Sequence, residues 1–309
     1  DAGADAVKFQ TFRAEQVVIP EAKTAEYQKK NTGKTESQFA MLKKLELKEE
    51  YYPELIKYAK KKNIIFLSTP HGGFESVDFL NSLRVSAFKF GSGDLNNLPL
   101  LQYAGKLKKP MIISTGMSTF QEIKEAVNVI GKMGNNQIII LHCVSNYPAQ
   151  FSEINLRVLA FLMKKFKFPI GYSDHTLGGE ASLAAVSLGA NVIEKHITID
   201  KNLPGPDHIC SLSPIEFKQM VSGIRNIEKG LGQAEKRLTQ SEIKISKIAR
   251  KSIVAVKDIK KGEIFSLKNI GIKRPGTGLP PKYYFSILSK ICLSNVKADT
   301  LISKKHYEE

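Results

Sequence analysis

Short β-rich runs alternate with longer stretches of helical period over residues 6–229. The runs recur at the spacing that one strand, one helix and two loops need, so the pattern predicts a parallel α/β fold. The first interval is longer, and residues 16–36 within it are predicted to form a polar surface loop. The predicted strands are residues 6–10, 64–69, 87–92, 111–115, 138–143, 170–174 and 192–197, and the predicted helices include residues 50–61, 119–132, 156–165, 179–188 and 214–229.

The polar residues of the predicted strands gather at their carboxyl ends. A (β/α)₈ TIM barrel assembles its active site from such ends, whereas a doubly wound sheet concentrates its chemistry at one switch point beside a Gly-rich turn. No G-x-G-x-x-G follows the strands, so the barrel is favoured. The chain opens as the end of a helix, and we expect the barrel to lack its first strand. The polar ends are Gln10 and Thr11; Ser68 and Thr69; Ser92 and Asp94; Ser114 and Thr115; His142; Ser173, Asp174 and His175; and Glu194 and His196.

The composition changes after residue 229. Residues 230–250 are polar and charged, and they predict a linker with a short helix. Residues 251–309 contain short β-like runs separated by Gly- and Pro-containing turns. The predicted organisation is therefore a barrel domain at residues 1–229, a linker at 230–250 and a small β-rich domain at 251–309.

The chain carries 46 Lys and Arg against 30 Asp and Glu, a net charge of +16. This excess is spread over predicted solvent faces, without aromatic platforms or a nucleic-acid motif, so we expect no nucleic-acid partner. No apolar run approaches the roughly 20 residues of a bilayer span, and no membrane association is expected. Three cysteines without paired spacing indicate a reducing compartment. The expected location is the cytoplasm.

Two histidines follow the last two predicted strands. His175 lies in a Ser-Asp-His-Thr string and His196 in a Glu-Lys-His string. Adjacent barrel strands bring such positions close together, and two imidazoles with an oxygen ligand suit a divalent transition ion that keeps positions open for substrate. The sequence therefore predicts a metal site at His175 and His196.

Two lysines lie inside apolar strand patterns, Lys8 in Val-Lys-Phe and Lys89 in Phe-Lys-Phe. A lysine there is costly unless its ammonium meets an anion or becomes a neutral nucleophile. Two interpretations stay open: a phosphate and carboxylate site, or a Schiff-base lysine as in aldolases. The serines at neighbouring strand ends favour the anion site.

The motifs occur in an ordered combination that resembles the sialic acid synthase family. The match extends over essentially the whole chain, and the end of the chain resembles that family's small antifreeze-like (SAF) domain. The strings begin at Val7 (VKFQT), Phe66 (FLSTP), Lys89 (KFGSG), Ile113 (ISTGM), Leu141 (LHC), Gly171 (GYSDHT), Glu194 (EKH) and Pro204 (PGPDH).

The resemblance implies an N-acetylneuraminate synthase type of transferase, which condenses phosphoenolpyruvate with N-acetylmannosamine or a related N-acetylated hexose. It also implies a divalent metal, Mn²⁺ with Mg²⁺ or Co²⁺ as alternatives, and a domain-swapped homodimer. It assigns the metal to His175 and His196. It assigns phosphoenolpyruvate contacts to Lys8, Thr69, Lys89, Ser92, Ser114 and Ser173, and sugar contacts to Tyr147 and Asp207. Gln10 and Arg274 are further candidates for substrate binding. The candidate catalytic carboxylates are Asp94, Glu194 and Asp207, and we consider Asp94 and Glu194 for moving the proton of the added water.

Some positions depart from the family pattern. The family's Glu-Ile-Gly strand is absent, Asp94 stands where some members carry Glu, and Ser145-Asn146 differs from the string before Tyr147 elsewhere. The Gly-Pro-Asp-His string resembles the branch that makes N-acetylneuraminate or legionaminate, so a legionaminate synthase acting on a diacetamido hexose is the alternative. A Schiff-base aldolase and a non-catalytic binding protein are more distant alternatives.

Overall fold

Seven parallel strands run through the first unit of the structure, a computed structural model that describes residues 1–33 and 36–308. They pair in sequence order from β1 to β7 and form a curled half-barrel, which confirms the predicted barrel class. The strands are β1 (Ala6–Thr11), β2 (Ile65–Pro70), β3 (Phe88–Phe90), β4 (Met111–Ser114), β5 (Ile138–Cys143), β6 (Ile170–Asp174) and β7 (Ile193–Lys195).

Helices follow the strands and cover the outer face of the sheet. Capping residues fix several of their starts, as where the Thr119 side chain accepts a hydrogen bond from the Glu122 amide and Glu122 bonds back. The helices of this unit are α1 (Ala14–Val17), α2 (Glu26–Thr32), α3 (Gln38–Leu45), α4 (Tyr52–Lys61), α5 (Gly73–Ser82), α6 (Leu98–Lys106), α7 (Phe120–Lys132), α8 (Arg157–Lys165), α9 (Glu180–Ser187) and α10 (Pro214–Leu231).

The alternation of side chains in β3 shows how the sheet divides apolar and polar groups. Successive strand residues point to opposite faces. Phe88 and Phe90 are fully buried in the main hydrophobic core, and Lys89 between them points the other way. In β3 the helix-facing side is thus apolar, while the inner side carries a charged group of the candidate site.

The segment predicted as a polar surface loop, residues 16–36, is partly helical instead. It contains the end of α1 and all of α2, while its residues 34 and 35 lie outside the described part of the chain. The helix α2 escaped prediction because its sequence, EYQKKNT, has no apolar stripe of helical period. Its position matters for the site described below.

The second unit contains one helix and a small antiparallel sheet. These are α11 (Gln240–Ala249), which lies within the predicted linker, and the paired strands β8 (Ser252–Ala255) and β9 (Ile270–Lys273). Its own core is built from short apolar runs and includes the fully buried Ile253, Ile287 and Cys292. The two compact units extend over Asp1–Gly232 and Gln233–Glu309. In the part of the chain that the structure describes, no helix combines the length and the apolar character needed to cross a bilayer.

Candidate active site

Two imidazoles meet at the carboxyl end of β6 and β7. His175 and His196 are the first residues beyond these strands, and their ring centroids are 5.4 Å apart at an interplanar angle of 79°. The ring of Tyr147, from the loop after β5, lies 4.0 Å from that of His175 and 5.6 Å from that of His196. The predicted pair is therefore brought together, with one aromatic ring beside both members.

Each imidazole has a nitrogen that can bind a metal ion. Nδ1 of His175 lies 2.8 Å from the carbonyl oxygen of Val144, which can only accept a hydrogen bond, so Nδ1 carries a hydrogen and Nε2 is the nitrogen available to a metal. Burial opposes protonation of His175, but the Cys143 thiol and this carbonyl raise its pKa. Burial, with the charges of His175 and Lys8, lowers the pKa of His196 to about 3. His196 is therefore a neutral imidazole at pH 7, the form that binds metals.

Asp207 completes the polar side of this cluster. Its Oδ2 lies 3.7 Å from Nδ1 of His196, and its Oδ1 is buried without a hydrogen-bond partner in the described part of the chain. Burial raises the pKa of this carboxyl. An orphaned carboxylate oxygen beside two imidazoles is a group for which a cation or a substrate hydroxyl would supply the missing partner.

These observations fit two histidine ligands of a divalent ion. Imidazoles bound to one ion through nitrogens about 2.1 Å away have centroids roughly 5 Å apart, close to the spacing of His175 and His196. Within residues 1–33 and 36–308, no group of three or more His, Cys, Asp or Glu side chains is arranged to hold a metal. The pair can thus hold an ion that takes its other ligands from water or substrate.

A buried cation lies across the site from the histidines. The Lys89 ammonium, 3% exposed, is 3.5 Å from Oε2 of Glu194 and donates to the carbonyl of Phe90 at 3.0 Å. Burial lowers the pKa of Lys89, although Glu194 opposes this. Burial alone would raise the pKa of Glu194, but the charges of Lys89 and Lys8 outweigh it and lower this pKa to about 2. The predicted residues Lys8, Lys89 and Glu194 therefore form one charged cluster.

The predicted hydroxyls differ in their partners. Ser173 donates to Oε1 of Glu194 at 3.2 Å, and Ser92 accepts a 3.0 Å hydrogen bond from the Gly116 amide. A Cβ at Gly116 would overlap with Oγ of Ser145 and lie 2.8 Å from Oγ of Ser92, so a larger residue would displace these hydroxyls. Ser114 Oγ is buried and has no hydrogen-bond partner among residues 1–33 and 36–308. Ser114 is thus the hydroxyl most clearly left for a ligand.

Other predicted residues are placed less centrally. Asp94 follows β3 and pairs with His71, with its Oδ2 3.1 Å from Nδ1 of that ring. Thr69 is buried at the end of β2, beside its register partner Gln10, which is exposed. Arg274 belongs to the second unit, where it is exposed just after β9.

Sequence reasoning missed two residues of α2 that cover Tyr147. The ring of Tyr27 lies 5.2 Å from that of Tyr147, and burial and the charge of Asp207 raise its pKa to about 12. Nδ2 of Asn31 donates to the carbonyls of Tyr147 at 3.0 Å and Pro206 at 2.7 Å. A tyrosine in an otherwise polar segment was the available signal.

Sequence reasoning also passed over a buried ion pair at the same strand ends. The side chains of Asp174 and Lys195 are fully buried, and their charged atoms are 3.0 Å apart. Asp174 was noted only as a polar strand end, and Lys195 only as part of a motif. Two opposite charges in the register of neighbouring strands were the signal.

The chain is similar to known proteins over nearly its whole length. Residues 1–236 match the model of the NeuB family, and residues 250–308 match that of the SAF domain. The chain is 51% identical over 304 residues to N,N'-diacetyllegionaminic acid synthase of Campylobacter jejuni, a match that covers 98% of this chain and 91% of that relative. It is 42% identical over 314 residues to the protein of the same name from Legionella pneumophila, covering 100% and 87%.

A solved structure gives the same indication. N-acetylneuraminic acid (sialic acid) synthetase from Leptospira borgpetersenii, determined in complex with citrate, is 33% identical to this chain with a TM-score of 0.69. The match covers 79% of this chain and 80% of that one. Similarity in sequence and in fold thus points to one group of carbohydrate-acid synthases.

Proposed function

The chain belongs to the NeuB family, the sialic acid synthase family that its motifs indicated, and we propose that it condenses phosphoenolpyruvate with an N-acetylated hexose. The products are a nine-carbon 2-keto acid and phosphate. The observation that carries this proposal is the placement of an imidazole pair and a lysine–glutamate cluster at one end of the same parallel sheet. The imidazole pair lies where a bound metal could act on the sugar aldehyde, and the lysine–glutamate cluster can bind an anion.

The anionic substrate is assigned to the lysine side of the site. The ammonium groups of Lys8 and Lys89 would bind its phosphate and carboxylate, and the unpartnered Ser114 hydroxyl would donate to one of those oxygens. Ser92 follows β3, Ser173 lies near the end of β6, and buried Thr69 lies near the end of β2. This arrangement holds the enol carbon in a fixed direction, toward the histidines.

The sugar is assigned to the histidine side. A divalent ion held by His175 and His196, which we propose to be Mn²⁺, would polarise the sugar aldehyde as a Lewis acid. Tyr147 supplies an apolar wall for the sugar ring, and Asp207 a carboxylate oxygen for a hydroxyl. Gln10 is proposed to contact substrate at the exposed rim.

The bond changes follow from the two substrates. C3 of phosphoenolpyruvate forms a bond with the aldehyde carbon, whose oxygen takes a proton and becomes a hydroxyl. Water adds to C2, and the C2–O bond breaks to release phosphate. Glu194 lies where its negative charge would stabilise the cationic C2. Asp94 and Asp207 remain candidates to accept the proton of the water.

The choice of sugar is the finer part of the proposal. The two curated relatives compared above are both named for N,N'-diacetyllegionaminic acid, and they are more similar to this chain than the sialic acid synthetase of known structure. We therefore propose a diacetamido hexose as the preferred sugar, with N-acetylmannosamine as the alternative.

The test is a direct assay of the full chain. Phosphoenolpyruvate and Mn²⁺ are supplied with each sugar in turn, and phosphate release and the mass of the acid product are measured. EDTA should abolish turnover. His175→Ala and His196→Ala should lose both Mn²⁺ binding, measured by calorimetry, and most turnover. His306→Ala, in the second unit, serves as the matched control.

Two results would contradict the proposal. Turnover that survives EDTA, together with a pyruvate adduct trapped by borohydride on Lys8 or Lys89, would indicate an aldolase. Neither product nor phosphate with either sugar would favour the binding-protein alternative.

A homodimer in which Arg274 of one subunit serves the site of the other is also proposed, on the family resemblance. Its guanidinium would donate to acyl or hydroxyl oxygens of the sugar. Mixing Arg274→Ala subunits with His175→Ala subunits should restore part of the activity, because each heterodimer would contain one intact site. Verified heterodimers without activity would contradict the arrangement.

A further inference from the structure

The buried ion pair between Asp174 and Lys195 lies directly behind the two histidines. Its carboxylate and ammonium are 3.0 Å apart, and both side chains are fully buried. The two residues face each other in the register of β6 and β7, and theirs is the last pair of that ladder. His175 and His196 follow immediately, and their carbonyls accept hydrogen bonds from the amides of Ala149 and Leu212, both at 2.9 Å.

The hydrogen bonds of this pair are complete. Oδ1 of Asp174 accepts from the amide of Thr176 at 2.9 Å and from its hydroxyl at 2.8 Å. Oδ2 accepts from Ser182 on α9 at 2.7 Å. Lys195 also donates to the carbonyl of Thr176. The pair therefore ties the ends of two strands, the turn after β6 and a helix into one network.

The direction of the side chains explains what this network can do. Residues next to each other in a strand point to opposite faces. Asp174 points toward the helix layer, where Ser182 contacts it, so the histidine one residue later leaves the backbone on the inner side. The ion pair thus fixes the backbone from which each imidazole projects, but it touches neither the imidazoles nor the substrate side.

A stabilising role alone gives a weak reason for such a pair. Burying two charges costs about as much as their attraction returns, and apolar replacements of similar volume are often as stable. Precise placement of metal ligands is a different requirement, because groups behind the ligands commonly change metal affinity by about 10- to 100-fold.

We propose that Asp174 and Lys195 are positioning residues, which hold His175 and His196 at the separation that a divalent ion requires. The inference rests on the metal-binding part of the proposed function. It predicts that metal affinity depends on this pair even where stability does not.

The experiment measures Mn²⁺ binding to the full chain without substrates, by calorimetry and by the electron paramagnetic resonance signal of free Mn²⁺. The variants are Lys195→Met, Asp174→Asn and the double variant, which removes both charges together. The double variant of the exposed pair Lys201 and Glu216, K201M with E216Q, is the matched control.

We expect the double variant at residues 174 and 195 to bind Mn²⁺ at least 10-fold more weakly than the wild type. Its thermal midpoint should be higher than that of either single variant, since no lone charge remains buried. The control should bind Mn²⁺ as the wild type does. A double variant that folds and binds Mn²⁺ with wild-type affinity would overturn the inference while leaving the proposed function intact.

Two further outcomes are also decisive. A folded wild type that binds no Mn²⁺ would overturn the metal assignment and this inference together. Should the double variant fail to fold, Ser182→Ala removes one hydrogen bond to Asp174 and leaves both charges in place. A loss of Mn²⁺ affinity of about 3-fold is expected from it, and unchanged affinity would overturn the inference.

Discussion

Two buried lysine–carboxylate pairs lie at the same end of the half-barrel, and their surroundings differ. Lys195 and Asp174 are 3.0 Å apart with both side chains fully buried. Lys89 and Glu194 are 3.5 Å apart, and Glu194 is 19% exposed. Their β7 members are consecutive residues that point to opposite faces of one strand. The first pair faces helices, and the second faces the inner side of the sheet.

The difference lies in how fully each pair is satisfied. Both carboxylate oxygens of Asp174 accept hydrogen bonds from neighbouring groups, so this pair needs no further partner. Among the residues that the structure describes, Lys89 also donates to the carbonyl of its own neighbour, Phe90, and the Ser114 hydroxyl on the adjacent strand has no hydrogen-bond partner. A complete network holds the fold in place, whereas an incomplete one leaves donors for a ligand.

The largest expected difference between the two pairs is in their contribution to the free energy of unfolding. Lys195→Met leaves Asp174 as an unpaired buried charge and should lower the free energy of unfolding by about 3–5 kcal/mol. Lys89→Met should lower it by less, because Glu194 is 19% exposed and keeps the hydrogen bond from Ser173 and the charge of Lys8. Urea denaturation without ligands measures both. Equal losses would show that the two pairs are equivalent.

The next effect concerns substrate affinity. Lys89→Met removes a charged hydrogen-bond donor worth about 1.5–3 kcal/mol, so the KM for phosphoenolpyruvate should rise roughly 10- to 150-fold. The KM for the sugar should change little, because that substrate is assigned to the histidine side. Steady-state kinetics with each substrate varied in turn measures the split. A similar rise in both values would argue against the assignment.

Substitution of one serine beside each pair should change stability by a smaller amount. Ser114→Ala removes a buried hydroxyl without a partner, and it should leave stability unchanged or raise it by up to about 1 kcal/mol. Ser182→Ala removes the hydrogen bond to Asp174 and should cost about 1 kcal/mol. Denaturation curves of both variants and the wild type measure these changes in stability. A larger cost at Ser114 would mean that its hydroxyl serves the fold rather than a ligand.

The smallest effect on stability is expected for the exposed pair of Lys201 and Glu216, which serves as a reference for the two buried pairs. Hydrogen bonds from Lys201 and from the Ser213 backbone lower the pKa of Glu216 from 4.5 to about 2. A lowered folded-state pKa stabilises the protein above the ordinary pKa, and this contribution disappears as pH falls from about 4.5 to 2. Because the pair is exposed, Glu216→Gln should cost less than about 1 kcal/mol at pH 7 and nothing near pH 2.

Denaturation midpoints of Glu216→Gln at pH 7, 4 and 2.5 measure this trend, with Glu235→Gln as the exposed control. A cost that stays constant over that range would show that the Glu216 charge contributes no stability.

Much of the fold followed from the sequence because strand and helix periods are local properties. Each predicted strand of the barrel overlaps an observed one, and the polar residues at their ends identified the edge where His175, His196 and Lys89 lie. The strand β3 is shorter than predicted, at Phe88–Phe90, because the chain turns into a 3₁₀ helix at Ser92. The local sequence pattern does not determine at which residue a strand stops pairing with its neighbours.

The partners within the site could not be predicted in the same way. That Asp94 pairs with His71, and that Asn31 reaches Tyr147, depends on how distant loops pack, which periodicity does not encode. The pair of Asp174 and Lys195 was easier to predict from the sequence. Their alternation with Ser173 and His175, and with Glu194 and His196, already placed them on the opposite face.

The amide of Asn31 also bears on the order in which the chain folds. It bridges carbonyls 116 and 175 residues further along the chain, at Tyr147 and Pro206. Contacts of such separation close large loops, and their entropic cost is offset only when the intervening chain is already structured. Neighbouring strands, by contrast, pair over short separations. We therefore expect the contacts of α2 with Tyr147 to form late, after the strands of the sheet have paired.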